Sequence, residues 1–378
     1  MTNVGAKMIN RNLMMVEQEW VKSFIRVGML ALAILSLVAI ASSVRAQTFD
    51  QAVKDACDAS GICQGTPGAS GGSTTALSNE SSPVPERKIE KLMGPWNLYF
   101  AGDYERFRKS VTKFEPGYKN NIWYAAVGAD YALNNVMLLG GAVRYVHDDG
   151  DFKGGGNFDT DSYGFLLHAN YVPGPGWFLD THAGYMRRNY SINRAVSLDT
   201  GVTDTLKGKP DGNEYKVGVN GGYDFNFQNI TVGPRLGLNY KRTNIDGYRE
   251  RGRAAVTITG LELDYDNQHE NSLTSVLGLH ASIAISTSIG VLVPQAAAEY
   301  VHEFQDPQRR IKFRLAGDPS AGKFTFNNDR PDQNYFNLGG GIALQLPRGI
   351  APFINYRALV GYHEQSSHRV TAGLRIEF

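Results

Sequence analysis

The chain has 378 residues with a formal net charge of +1, so nothing in its bulk electrostatics attracts nucleic acid. Its 42 Gly, 19 Tyr and 18 Phe lean toward β structure with aromatic girdles rather than toward helices.

At the N-terminus, Lys22 and Arg26 precede an apolar run from Val27 to Ala41, and Val44-Arg45-Ala46 forms a small-x-small site before Gln47. This is the pattern of a secretory signal peptide over residues 1–46. Its long n-region also admits translation from Met15. A membrane anchor is the competing reading, but the run is shorter than the roughly 18 apolar residues of a spanning helix. No later run is long enough to span as a helix. A membrane location therefore requires a closed barrel, the other architecture that satisfies every backbone group in hydrocarbon.

Residues 47–85 are rich in Gly, Ser, Thr and Pro, and cannot bury enough apolar surface to offset their ordering entropy. They read as a linker. Cys57 and Cys63 lie close together in this exported part, where an even, local pair most simply forms a disulfide. No nearby histidine suggests zinc, and Lys54-Asp55-Ala56 lacks the apolar residues that precede a lipidated cysteine. Glu86 to Met93 reads as a short helix, with Pro85 at its first turn and Gly94-Pro95 ending it, so residues 86–95 form an entry unit.

From Trp96 to Phe378 period-2 alternation places about twelve strands. Short connections fall at 133–135, 173–176, 226–229, 286–289 and 347–349. Long ones fall near 107–121, 147–160, 190–213, 243–270 and 304–333, with a shorter last one near 363–367. Sorting of loops by parity is expected of an up-and-down barrel with tight periplasmic turns and longer outer loops. In Tyr163 to Tyr171 the lipid-facing set is Tyr163, Phe165, Leu167, Ala169 and Tyr171; in Tyr215 to Phe225 it is Tyr215, Val217, Val219, Gly221, Tyr223 and Phe225. Pro234 and Pro294 fall inside strands and suggest bulges or bends. The last strand points Val370, Ala372, Leu374, Ile376 and Phe378 outward, with Thr371, Gly373, Arg375 and Glu377 inward. The fold expected is all-β: a membrane-spanning antiparallel barrel of about twelve strands.

Several stretches carry a family resemblance: Gly128-Ala129-Asp130-Tyr131, Gly154-Gly155-Gly156-Asn157-Phe158-Asp159-Thr160-Asp161-Ser162-Tyr163, Gly221-Gly222-Tyr223-Asp224-Phe225, Val291-Leu292-Val293-Pro294-Gln295 with Val301-His302-Glu303-Phe304, and Ala372-Gly373-Leu374-Arg375-Ile376-Glu377-Phe378. Over 96–378 the chain resembles the C-terminal translocator, or β-domain, of the autotransporters of type V secretion. That resemblance implies a conduit for an N-terminal passenger, a helix preceding the barrel that occupies the lumen, and a terminal aromatic strand read by the outer-membrane assembly machinery. Typical members carry passengers of several hundred residues, whereas 47–85 is short. Some members cut themselves at an Asn-Asn pair in the lumenal helix, but 77–95 contains only Asn79.

The expected lumen-lining set is Asp103, Asp130, Arg144, His168, Asp180, Lys216, Arg235, Glu299, Arg357 and Arg375, with Glu105, Asp224 and Glu377 on the same face. It reads either as a pathway or helix-docking surface, or simply as the self-paired polar lining of a barrel. His168 and Asp180 flank the turn at 173–176 at near-equal distance, like two members of a triad, but no nucleophile accompanies them. Asp148-Asp149-Gly150-Asp151 reads as an acidic loop without the spacing of a calcium site. Arg106, Arg108, Lys109, Lys113 and Lys119 read as a basic outer loop that could meet lipopolysaccharide. No cofactor, metal or catalytic site is expected. The function expected is a monomeric outer-membrane translocator of a Gram-negative cell. It contacts lipid, lipopolysaccharide, the assembly machinery and its own N-terminal segment, and carries a very short passenger to the surface. A stand-alone barrel acting as a passive pore or adhesin is the alternative, and a barrel enzyme the more remote one.

Overall fold

The computed structural model describes residues 95–377 apart from 175, 198–202, 228, 253–259, 306–308, 319, 321 and 347–348. The signal peptide, the linker with Cys57 and Cys63, the helix at 86–93 and Phe378 lie outside the described residues.

Period-2 alternation becomes strand throughout. In chain order the elements are β1 (Trp96–Lys109), β2 (Tyr118–Ala132), β3 (Met137–Phe152), β4 (Gly156–Gly174), β5 (Trp177–Ser197), β6 (Thr203–Gly208), β7 (Asp211–Tyr223), β8 (Phe225–Phe227), β9 (Ile230–Ile245), β10 (Tyr248–Arg249), β11 (Leu263–Tyr265), β12 (Gln268–Ile283), β13 (Ile285–Ser286), β14 (Val291–Glu303), β15 (Arg310–Leu315), β16 (Phe324–Asn327), β17 (Asn334–Gln345), β18 (Ile350–Val360) and β19 (Gln365–Glu377).

Twelve of these, β1 to β5, β7, β9, β12, β14, β17, β18 and β19, form an antiparallel up-and-down barrel. β19 closes on β1 from Asn97↔Glu377 to Lys109↔Gln365, so no sheet edge is left unpaired in the wall. β6, β8 and β13 are short additions paired to β5, β9 and β14. The other four strands make a separate sheet in the order β10-β11-β15-β16, built from the two longest connections on one rim.

The wall has an apolar outside. Leu167 is 57% exposed while its neighbour Leu166 is 6% exposed, which fixes the phase of β4; Tyr215 and Val217 do the same for β7. Aromatic pairs bracket the apolar band. Trp96–Tyr131 and Trp177–Tyr223 sit toward the rim of tight turns, and Tyr104–Trp123 and Tyr185–Tyr215 toward the other. From Trp96 to Tyr104, eight residues at about 3.3 Å and a tilt of about 40° cover about 20 Å along the barrel axis, a membrane-scale band.

Two expectations need correction, and one outward residue of the last strand proves to be covered. Neither Pro234 nor Pro294 produces a register shift. Each sits where one of its two ladders lapses: β7 stops at Arg235 and β8 resumes at Val232, and β12 pairs β14 only as far as Gln295. The connections placed at 147–160 and 190–213 are largely strand, since β3 runs to Phe152, β4 starts at Gly156 and β5 runs to Ser197. Leu374 faces outward yet is only 9% exposed, because Leu346 and Ile350 near the adjoining tight turn pack over it.

Candidate functional site: a polar lumen beneath an apolar cap

At the level of the apolar band the inward side chains are mainly polar, with Leu138, Leu166 and Phe178 among them, and many of the polar ones are clasped in pairs. Asp130 of β2, Gly140 of β3 and His168 of β4 lie in one row across three strands. His168 Nε2 is 2.9 Å from Asp130 Oδ1. The pair reaches over the middle strand because Gly140 has no side chain: a Cβ there would sit 2.2 Å from Asp130 Oδ1. The device recurs. His280 Nε2 meets Asp224 Oδ1 at 2.8 Å beside Gly233, and Gln295 Nε2 donates to Asn355 Oδ1 at 2.9 Å across Gly341. Arg235 and Glu299 flank Gly278 at 3.8 Å.

Glu299 also faces Arg357 at 3.7 Å, and Asp130 faces Arg375 at 3.5 Å. Thus Asp130, His168 and Arg375 form one cluster, and Arg235, Glu299 and Arg357 another. Asp180 stands apart: it accepts a bond from Asn170 Nδ2 at 2.8 Å and does not meet His168, which corrects the pairing suggested by their spacing from the turn. The register sets His168 opposite His182 instead. Asp103 and Arg144 are buried on β1 and β3, and Lys216 of β7 stands opposite Lys241 of β9. On β1, Glu105 binds Arg369 of β19 across the closing seam and accepts from Tyr124 Oη at 2.9 Å and Ser367 Oγ at 2.5 Å. A cavity of about 20 Å³ beside this group is bounded by Phe107, Asn337, Arg357 and Leu359, room for about one water.

Farther out, the lining changes. The inward faces of Phe107, Tyr118, Ile122, Val146, Phe158, Met186, Tyr190, Ile192 and Val196 join Tyr248, Leu263, Tyr265, Ile311, Phe313, Leu315 and Phe326 of the four-stranded sheet in one buried cluster. The sheet is thus a cap on the outer mouth, held by the hydrophobic effect rather than by charge. Polar ties latch its margin. Arg194 of β5 holds Glu250 with Nε 2.8 Å from Oε1 and Nη2 2.5 Å from Oε2, and donates to the Leu261 carbonyl at 2.8 Å. Lys109 reaches Glu115 at 2.9 Å and Asp329 at 3.0 Å, and Thr112 Oγ1 donates to Asp329 as well. Burial alone would raise the Asp329 pKa, but Lys109, Glu115 and Thr112 together hold it below the usual carboxylate range. Burial pushes the Tyr248 and Tyr265 phenols well up, so both are neutral donors in the cap.

Two charge groupings also shift. Asp148, Asp149 and Asp151 lie on β3, not in a loop; Asp148 points inward and accepts from Asn120 Nδ2 at 2.6 Å, while Asp149 and Asp151 point outward. No metal-holding group of His, Cys, Asp and Glu occurs among the described residues. Of the basic set, Arg106, Arg108 and Lys109 lie on β1 and Lys119 on β2; Arg106 and Arg108 are exposed on the outer face, and Lys109 is buried in its latch. The clasping glycines and the cap core escaped sequence reasoning, because both depend on register between distant segments.

A family model for the autotransporter β-domain matches residues 98–357. The chain belongs to the autotransporter β-domain family. It is an outer-membrane barrel of a Gram-negative bacterium. The translocator domain of the autotransporter NalP from Neisseria meningitidis has the same fold, with a TM-score of 0.60 at 16% identity over 75% of this chain and 89% of that one. The β-domain of the Bordetella autotransporter BrkA gives 0.55 at 20% identity over 75% of this chain and 100% of that one. Esterase EstA of Pseudomonas aeruginosa is 23% identical over 76% of this chain, and outer membrane protein B of Rickettsia japonica 21% identical over 83%. The chain spans 43% of the length of the first and 19% of the second.

Proposed function

We propose that this β-domain anchors the segment preceding it and conducts that segment to the cell surface. The observation that carries the reading is the change of lining along the lumen. At the membrane level the inward groups are polar and of both signs, the surface to receive the mixed charges Glu86, Arg87, Lys88, Glu90 and Lys91. Eight helical residues span only about 12 Å, so the 86–93 helix cannot cross a core of about 30 Å alone. Residues of 47–85 in extended form complete the crossing. Because the apolar cluster joins the cap to the wall across the outer mouth, passage precedes closure of the cap. The assembly machinery reads the terminal strand Val370 to Phe378, and Cys57 and Cys63 form a disulfide in the exported segment.

We assign the barrel itself no catalytic role; esterase and lipase activity are named for relatives much longer than this chain. A protease-cleavable tag placed after Gln47 tests the conduit. It should be cut on intact cells, and cutting only after the outer membrane is permeabilised would reject it. The second reading, a surface-binding barrel, is favoured by the cap being a folded sheet rather than a set of loops. Deleting residues 47–85 would leave surface binding intact under that reading and abolish the exposed epitope under the first.

A further inference from the structure

We propose that the outer face of the closing seam, β19–β1–β2, is a binding site for a phosphorylated glycolipid of the outer leaflet, the lipid A moiety of lipopolysaccharide. The site starts at the outer girdle, where the Tyr104 and Trp123 rings pack 4.6 Å apart. Arg106 and Arg108 follow Tyr104 on the same outward face of β1, at steps of about 7 Å along the strand. With a tilt of about 40°, Arg106 stands about 5 Å and Arg108 about 10 Å above the tyrosine. A bilayer's polar zone is about 5 to 7 Å deep on each side of the hydrocarbon, so the two guanidinium groups occupy the phosphate level and the sugars just above it.

Their partners in register make the case sharper. Arg108 lies directly opposite Lys119 of β2, and Arg106 directly opposite His368 of β19. Arg108 and Lys119 are like charges facing one another across a ladder, which destabilises the sheet unless an anion lies between them, while the His368 ring already meets Tyr356 Oη at 2.7 Å. Arg106 and Arg108 are exposed and make no ion pair or side-chain hydrogen bond among the described residues. Lys119 has only Asp151 at 3.3 Å, both groups 62% exposed, a pair worth little in water. Arginine suits phosphate because its planar fork gives two parallel, charge-assisted bonds.

The position around the barrel is specific. At the same height the next sector, β3 and β4, turns Asp149, Asp151, Asp159 and Asp161 outward, with Asp149 directly opposite Asp159. Bare phosphates are repelled there. On β5 and β7 the outward Arg187 is already held by Asp211 at 2.7 Å. Arg242 of β9 also faces outward, with Asn244 as its side-chain partner at 3.1 Å, but it is a single cation; the seam gathers three, and a glycolipid bound there also bridges the first and last strands.

The test uses the full chain in nanodiscs of phosphatidylethanolamine with bisphosphorylated lipid A, read by native mass spectrometry. The wild-type protein should retain lipid A, the R106S/R108S/K119S variant should lose about tenfold in affinity, and R187S should bind as the wild type does. Because the three substituted residues are outward and outside the apolar band, heat-modifiable migration should be unchanged. Dephosphorylated lipid A should bind the wild type no better than the variant, and phosphatidylglycerol should fail to displace the bisphosphorylated form. Equal retention by wild type and triple variant would overturn the proposal, as would displacement by phosphatidylglycerol at equal concentration. Retention abolished by EDTA but unaffected by the triple substitution would also overturn it, by moving binding to a cation bridge on the acidic sector. None of these readouts depends on export of the N-terminal segment.

Discussion

Strand β5 behaves as two different proteins on either side of Tyr185. Below it, the outward residues include Trp177, Leu179 and Ala183, and the inward ones Phe178, Asp180 and His182. Above it, the outward residues are Arg187, Asn189, Ser191 and Asn193, and the inward ones are Met186, Tyr190, Ile192 and Val196 together with Arg188 and Arg194, which are buried against Glu214 and Glu250. The strand does not bulge between the halves, since its pairing with β4 and β7 keeps one register from Asn189 back to Leu179. What changes is the solvent on each side. In the membrane the outside is lipid and the inside wet, so apolar faces out. Beyond it the outside is water and the inside is covered by the cap, so apolar faces in. One continuous wall thus holds two cores of opposite sense, stabilised by different forces, and the two should respond independently to substitution.

The largest effects should come from the cap. Phe313 is fully buried in its core, and Phe313→Ala should cost about 3 to 5 kcal/mol of cap stability. Glu250→Ala should be comparable, because it leaves Arg194 buried without its carboxylate. In both variants the barrel should remain heat-modifiable and inserted, while single-channel conductance rises. Loss of the inserted barrel would show that the two cores fold as one unit.

The membrane half offers the matching test. Leu167→Arg on the lipid face should cost roughly 2 to 4 kcal/mol near the midplane, whereas Asn170→Arg on the inward face of the same strand should be tolerated far better. The readout is urea unfolding of the reconstituted barrel. Equal losses would mean that the wall is not sided as described.

Why the two halves differed in legibility follows from the same inversion. The lower half of each strand announces itself, because apolar residues such as Tyr163, Phe165, Leu167 and Tyr171 recur at every second position, with Gly164, His168 and Asn170 between them and Leu166 the exception. At Tyr185 the apolar set switches from odd to even positions, and to a period-2 reading this is the end of a strand. Hence residues from 190 onward read as a loop although β5 continues to Ser197. The cap strands were invisible for another reason: β10, β11 and β16 have 2, 3 and 4 residues, too few for any period to register. The inward residues were legible as a set, but not their partners. Counting from the turn pairs His168 with Asp180, whereas the register puts Asp130 beside His168 over the intervening Gly140.

That clasp gives a smaller, sharper test. Gly140→Ala places a Cβ 2.2 Å from Asp130 Oδ1 and 2.4 Å from His168 Nε2, so the His168 pair must open. Overpacking of this kind costs about 1 to 3 kcal/mol. The effect should be confined to the membrane half: unfolding of the barrel shifts, while protease resistance of the cap does not. Parallel loss of both would deny the independence of the two cores.

The smallest expected effect concerns the latch between the β1–β2 and β16–β17 connections. Asp329 has its pKa lowered in the folded protein by Lys109, Glu115 and Thr112, against the opposing push of burial. A carboxyl whose folded pKa lies below its unfolded value contributes stability that is fully present above the unfolded value, about 3.9 for aspartate, and lost as pH falls through the folded one. The latch should therefore be intact at pH 5 and above, and should weaken only below about pH 4. Hydrogen exchange of the Asp329 amide, which donates to Glu115 Oε1 at 2.7 Å, reports its closure. Protection should fall in acid in the wild type, and in Asp329→Asn should already be reduced at pH 7, with a smaller further change on acidification. Because the apolar cluster does not titrate in that range, the cap should stay seated through the transition. Release of the cap at pH 4 would show that its polar margin, rather than its buried core, holds the outer mouth closed.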